Sequence, residues 1–438
     1  MDAAVPLSFA QQTLWEEARW CSGRRGFHIL ISIHLEGVLD VARLERCLTD
    51  IARRHQILRA VFVDEDDEPA QIFSPDAEWT LPPISLEHLP AAERWAAAED
   101  FAASDAARPF NLSTGPLFRG TLLRLSPREH IAFLVVHHLL IDGLSKAILH
   151  QELAALYAAY SERRPSPLPP LRFQYADYVL WQRERLRGET FERLFSFWAA
   201  RVTGIPRRGR TTPRDEAGRD RFAKARRSFT FSAAFRDAVE TITRREGVTR
   251  FMVLLWALAV WIRRQRGEVD LVIAGELANR LRLETEPLIG LFADMSIFRT
   301  ELDGDLSLRE SLRRVRQDAL GVYAHQEMPL MLLLETVRAR SGRGHFRCDA
   351  FLNVRTWPRF QATADGVTFR NVVLVPEDFE SPLDLNVIVK DGRDVSHATV
   401  LYNPDAYDAG QIGAMERHLE RIVSAIVDEP RAPMECWS

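Results

Sequence analysis

From Ile131 to Val136 the chain is continuously apolar. An unbroken run of this length predicts a strand covered on both faces, in contrast to the alternation of a strand with one wet side. Further on, Leu149, Leu153, Leu156 and Tyr160 recur at helical spacing and define one face of a helix. His137 and His138 stand between these two patterns, followed after three apolar residues by Asp142 and Gly143. The polar residues therefore fall at a strand-to-turn-to-helix junction, where a side chain can reach a cleft while its backbone is held.

The same reading carried along the chain predicts a short helix capped by Ser8, a strand over 27–35, and a helix over 41–55 with a basic last turn. A surface helix over 91–107 and a strand over 117–125 follow. The run 254–262 is strongly apolar but lies between Arg250 and Arg263 and is too short to span a bilayer, so it predicts a buried helix. Around it the pattern gives a strand over 228–231, a helix over 233–246, a strand over 270–275 and a closing helix over 409–427. The second half thus repeats the first in outline.

Prolines between Arg164 and Pro170 remove backbone donors and block helix, which makes this stretch the clearest linker. The expected division is an N-terminal lobe over 1–170 and, over 171–438, a linker helix with a C-terminal lobe. That helix is predicted from Phe173 to about Val202, with Tyr175, Tyr178 and Trp181 as a core-packing stripe. Residues 207–227 are very polar and rich in arginine, the composition of a solvated segment.

Composition narrows the classes. Hydrophobic residues at 46% and charged residues at 27% describe a soluble globular chain, and 438 residues leave room for two cores. A net charge of −4 offers no basic field for nucleic acid. The four cysteines, Cys21, Cys47, Cys348 and Cys436, form no Cys-x-x-Cys pair, so neither a zinc site nor a disulfide framework is expected, and a reducing cytoplasm fits. The N-terminus lacks the basic start and apolar core of a signal peptide.

Adjacent strand residues point to opposite faces, so on a regular strand only one of His137 and His138 faces a given cavity. The other is expected to be an interior histidine bonded to backbone. Asp142 likewise has an ordinary reading as a helix N-cap. Yet the stretch from His137 to Gly143 fits His-His-x-x-x-Asp-Gly, and so resembles the active-site signature of the condensation domains of nonribosomal peptide synthetases and their acyltransferase relatives. Further landmarks follow in that family's order. The residues Ser8 to Trp15 resemble Ser-x-Ala-Gln-x-Arg-Leu-Trp, with Thr13 where Arg is usual. Arg54 to Phe62 resembles Arg-His-Glu-x-Leu-Arg-Thr-x-Phe, departing at Gln56 and Ala60, and Pro109 to Leu117 resembles Pro-Phe-Asp-Leu-x-x-Gly-Pro-Leu. Tyr175 to Trp181 resembles Tyr-x-Asp-Tyr-x-x-Trp, and Asn279-Arg280 stands where the family carries Asn-Arg. Ile289 to Met295 resembles Ile-Gly-x-Phe-Val-Asn-Thr, departing at Asp294 and Met295, and His325 to Pro329 resembles His-Gln-Asp-x-Pro, with Glu327 for Asp.

The resemblance implies an α/β fold of two chloramphenicol-acetyltransferase-like lobes in a V-shape, with the active-site tunnel between them. Donor and acceptor carrier proteins bring phosphopantetheine arms, and the chain itself binds no cofactor and no metal. The implied reaction is attack by an acceptor amine, or a hydroxyl, on the donor thioester. Of the catalytic set His138, His137, Asp142 and Gly143, His138 is implied as the group that accepts a proton or stabilises the ammonium-like transition state, and His137 as structural. Asp142 is implied to form an ion pair with Arg280 from the second lobe, and Gly143 to admit the substrate and offer its amide to the oxyanion. Ser145 and Asn353 are expected along the substrate channel.

Cyclisation domains replace the histidine signature with aspartates, and epimerisation domains follow Asp-Gly with Val-Ser-Trp where Leu144-Ser145-Lys146 stands here. The remaining alternatives are a coenzyme-A-dependent acyltransferase and a catalytically silent carrier-recruiting domain. No adenylation segment, thioesterase elbow or carrier motif is visible, and Met1 lies close to the first landmark. The chain is therefore expected to be either a freestanding condensing enzyme, towards which Met1 leans, or an excised domain, and to act as a monomer on a carrier-bound or small soluble amine or alcohol.

Overall fold

A computed structural model describes residues 4–20, 27–65, 68–75, 78–205, 224–342, 347–355, 360–375, 383–392 and 396–437. The structure is mixed α/β and packs as two compact units. The first comprises Met1–Gly188, Ala278–Ala293 and Arg359–Glu380, and the second Glu189–Leu277, Asp294–Pro358 and Ser381–Ser438.

The first unit is built on a six-stranded sheet in the order Gln361–Ala364, Val367–Val372, His28–Glu36, Glu129–His137, Phe118–Ser126 and Pro83–Ser85. Its strands are antiparallel except for Pro83–Ser85, which runs parallel to Phe118–Ser126. The histidine strand is central, which explains its continuous apolar run. Ile131, Phe133 and Val135 pack with Ala98 and Ala102 of the helix Arg94–Ala106. Ala132, Leu134 and Val136 belong to a second cluster with Leu44 and Leu48 of the helix Val41–Arg54 and with Leu149, Leu153 and Leu156 of the helix Gly143–Ser161. The helix expected at the surface over 91–107 therefore buries one face.

The second unit has its own six-stranded sheet, ordered Asp294–Glu301, Asp270–Leu277, Ala350–Arg355, Leu385–Asp391, Ser396–Tyr402 and Ala225–Thr230. Here Ala350–Arg355 is parallel to both of its neighbours. The helix Arg250–Arg266 buries every residue from Met252 to Ile262.

Two expectations meet a different structure. The first unit runs past residue 170 to Gly188, because Tyr175, Tyr178 and Val179 pack into its core. The helix expected to run unbroken to Val202 is in fact two, Tyr175–Arg185 and Gly188–Val202. Gly188 sits at φ 53°, in the left-handed region that glycine occupies at little steric cost. Most of the polar stretch 207–227 lies outside the described residues; its last residues begin the strand Ala225–Thr230.

Candidate functional site

The ladder holds the histidine strand straight to its end, where the His137 amide donates to the Leu117 carbonyl at 2.9 Å. The chain then turns. The His138 amide donates to the Phe27 carbonyl at 2.8 Å, and the turn closes through Leu140 N–H to the His137 carbonyl (3.0 Å) and Ile141 N–H to the His138 carbonyl (3.3 Å). Leu139, Leu140 and Ile141 are fully buried and anchor the turn from below.

The two histidines fare differently. The His137 ring is buried among Phe27, His28 and Phe110, and its Nδ1 accepts the Leu139 N–H at 3.2 Å. Burial, with smaller contributions from His28 and His138, pushes its pKa down to about 3, so it is neutral. The His138 ring is half-buried and places Nδ1 2.7 Å from the Ile141 carbonyl. A carbonyl only accepts, so in the neutral ring Nδ1 carries the hydrogen and the lone pair lies on Nε2.

Asp142 caps the helix Gly143–Ser161, its Oδ1 accepting the Ser145 N–H at 2.8 Å. The same carboxylate faces Arg280 Nη2 at 3.2 and 3.4 Å, and its Oδ2 accepts the Phe292 and Ala293 amides at 3.1 and 3.3 Å. Cap and ion pair, opposed as alternatives in the sequence, thus coexist on two oxygens. Arg280 is held in turn by the Thr285 and Leu288 carbonyls (2.5 and 2.7 Å) and lies 4.1 Å over the Phe292 ring. Its segment, Ala278–Ala293, packs as part of the first unit, so the pair forms within one unit and not between two lobes. Asn279 makes the turn into that segment at φ 51°.

Gly143 is exposed, and a Cβ built on it would meet nothing within 4 Å beyond its chain neighbours and its own helix backbone. Ser145, expected along a channel, is fully buried: its hydroxyl lies 2.7 Å from Asp142 Oδ1 and 3.0 Å from the Gly290 carbonyl, and accepts from Arg280 Nη2 at 2.8 Å. It braces the turn. Asn353 belongs to the second unit, where its Nδ2 donates to Glu276 Oε2.

Three supports were not singled out as site residues from the sequence. Gln11 is fully buried and donates through Nε2 to the Leu139 carbonyl at 3.1 Å, next to His138. The Tyr175 hydroxyl donates to the Leu291 carbonyl at 2.6 Å, beyond core packing. Gly290 must lack a side chain, since a Cβ there would come within 2.2 Å of the Tyr175 ring; its carbonyl accepts the Asp142 amide at 3.1 Å. The landmarks containing Gln11, Tyr175 and Gly290 therefore share one task, holding the turn that carries His138. Only their matching to family patterns hinted at it.

Among the described residues, no group of His, Cys, Asp and Glu is arranged to hold a metal ion, and no helix is long and apolar enough to cross a membrane.

Comparison with known proteins agrees with this frame. A family model described as the condensation domain matches residues 1–436. One of the linear gramicidin synthase proteins of Brevibacillus parabrevis is 35% identical over 99% of this chain, and phosphinothricin tripeptide synthetase PhsC of Streptomyces viridochromogenes is 31% identical over 98%. The chain spans only 6% and 40% of those two relatives. Among solved structures, the X-domain from teicoplanin biosynthesis is similar with a TM-score of 0.81 and 25% identity, over 99% of this chain and 97% of that one. By its sequence, its relatives and its fold, this chain belongs to the condensation-domain family.

Proposed function

We propose that this chain condenses an acyl or peptidyl thioester, carried on a phosphopantetheine arm, with an acceptor amine, as a step of nonribosomal peptide or hybrid polyketide assembly. The observation that carries the proposal is the state of His138: Nδ1 is committed to the Ile141 carbonyl, which leaves the Nε2 lone pair of a half-buried ring to receive a proton. In the reaction the amine nitrogen bonds to the thioester carbon, the C–S bond breaks, and the proton lost by nitrogen passes through Nε2 to the departing thiolate, which leaves as the free thiol. Gly143 opens the helix, so its amide has no intrahelical acceptor and can donate to the developing oxyanion. The chain's own packing does not exclude a Cβ at Gly143, and room for the substrate accounts for the glycine. Donor and acceptor carriers are the partners on this reading, the site of action is cytoplasmic, and a hydroxyl acceptor would give an ester by the same steps.

The test is intact-mass measurement on a panel of acyl-loaded carriers mixed with candidate amines and alcohols, run beside the matching acyl-CoAs. Loss of the acyl group from the carrier together with gain by the acceptor is the expected result. Transfer from acyl-CoA alone would assign the chain to the coenzyme-A-dependent acyltransferases. A second reading draws on the solved complex of the X-domain and OxyB from teicoplanin biosynthesis, which this fold matches with a TM-score of 0.81. It makes the chain a recruiting module, and carrier binding without transfer would select it.

A further inference from the structure

We infer that His55 and Glu152 form a positioning dyad that fixes the tautomer of His55, so that its second nitrogen holds the segment clasping Asp142. The inference rests on the reaction proposed above. His55 ends the helix Val41–Arg54 and is almost fully buried; Glu152 lies on the helix Gly143–Ser161 and is also buried. His55 Nε2 lies 2.9 Å from Glu152 Oε2, while Arg54 Nε donates to Oε1 of the same carboxylate at 2.8 Å. On the other side of the imidazole, the Ile289 amide donates to Nδ1 at 3.2 Å.

The hydrogens follow from the partners. An amide only donates, so Nδ1 must carry a lone pair, and Nε2 then bears the hydrogen given to Glu152. Arg54 occupies the other oxygen of the carboxylate, so Oε2 is left to accept from His55 Nε2. A cationic His55 would turn an N–H on Nδ1 against the Ile289 N–H and expel it. From Ile289 the consequence runs on through the backbone. The Gly290 carbonyl accepts the Asp142 amide, and the Phe292 and Ala293 amides hold the Asp142 carboxylate. Asp142 in turn follows Ile141, whose carbonyl orients His138. Neither His55 nor Glu152 touches a reacting atom on this reading; they act on His138 through residues 289–293.

The two nitrogens can be separated by substitution. In His55→Asn the amide oxygen falls near Nδ1 and still accepts from Ile289, whereas in His55→Gln the terminal amide falls near Nε2 and leaves Ile289 N–H without an acceptor. His55→Asn is expected to keep kcat within about threefold of wild type and to preserve amide-exchange protection over 288–293. His55→Gln is expected to lose that protection and about 10- to 100-fold in kcat, the order for one buried amide deprived of its acceptor, with KM little changed. Equal losses in the two variants, or full protection in His55→Gln, would overturn the dyad. If neither variant folds, Glu152→Gln, which still offers an oxygen to Nε2–H, should retain protection that Glu152→Met loses, and equality of that pair would overturn it instead. The exchange measurement needs no turnover. Wild type that transfers no acyl group would count against the proposed reaction, and exchange would still decide the role of His55.

Discussion

The end of the strand Glu129–His137 and the turn that starts at His138 are joined by a single peptide bond, yet different forces hold them. The strand end is held by a ladder on both sides and by apolar clusters on both faces, and its last side chain is enclosed by aromatic rings. The turn has no ladder. It is held by individual hydrogen bonds from Gln11, Ser145, Arg280 and residues 290–293, contributed by segments far apart in sequence. Two identical side chains in succession therefore take opposite parts: burial silences His137, and a carbonyl aims His138. Packing makes the platform, and placed polar groups make the site.

The largest effect should come from the turn. His138→Ala is expected to lower acyl transfer by about 10²–10⁴, the scale of general acid–base assistance, while melting stays close to wild type because the ring is not part of the core. Single-turnover transfer and a thermal melt measure the two halves of that statement. Near-normal turnover would erase the distinction between the two histidines.

Next come the bonds that hold the turn. Asp142→Ala and Arg280→Ala each strand a buried charge and should each cost about 3–5 kcal/mol. The double variant should be little worse than either, because the two share one interaction. A double-mutant unfolding cycle with no coupling would leave Asp142 only its bonds to the Ser145, Phe292 and Ala293 amides.

The most gradual effect, small at any one pH step, concerns the strand end. Burial holds His137 at about 3 in the folded chain, whereas a free histidine titrates near 6.5. With the folded value lowered, the unfolded chain takes up the proton first. Stability is therefore full above about 6.5 and is lost as pH falls towards 3, by up to about 1.4 kcal/mol per pH unit. His150 and His418, each pushed to about 4 chiefly by burial, slope the same way. His137→Asn keeps an acceptor for the Leu139 amide but does not titrate, so its stability curve should be flatter between pH 6.5 and 4 by about one proton. An unchanged slope would mean that His137 is not the buried base described here.

Much of the platform was legible in the sequence, because period and burial are written in residue type. The run Ile131–Val136 announced cover on both faces, and Leu149, Leu153 and Leu156 announced the face of the following helix. The helix start at Asp142 was legible from Asp-Gly. What escaped were contacts whose partner is backbone. Gln11 bonds a carbonyl, and Gly290 matters because Tyr175 fills the space beside it; neither leaves a periodic trace. Ser145, placed along a channel by the resemblance alone, is closed over by Gly290 and Arg280, contacts that residue type does not announce. The division at residue 170 missed for a related reason: proline marks where helix stops, while Tyr175 and Tyr178 decide which core the next helix joins.

The discontinuity of the first unit bears on how such chains can be recombined. An exchange of everything after residue 170 or 188 between two relatives would transplant Arg280, Gly290 and the strands Gln361–Ala364 and Val367–Val372 along with the second unit. The recipient turn would then be clasped by a foreign arginine loop, and the recipient sheet edged by foreign strands. A graft that respects the architecture replaces Glu189–Leu277, Asp294–Pro358 and Ser381–Ser438 and leaves the two intervening segments with the histidines they support. Compatibility between donor and recipient is thus decided at four internal splice points as well as at Gly188, which makes the unit an exchangeable part only when it is cut as a patchwork.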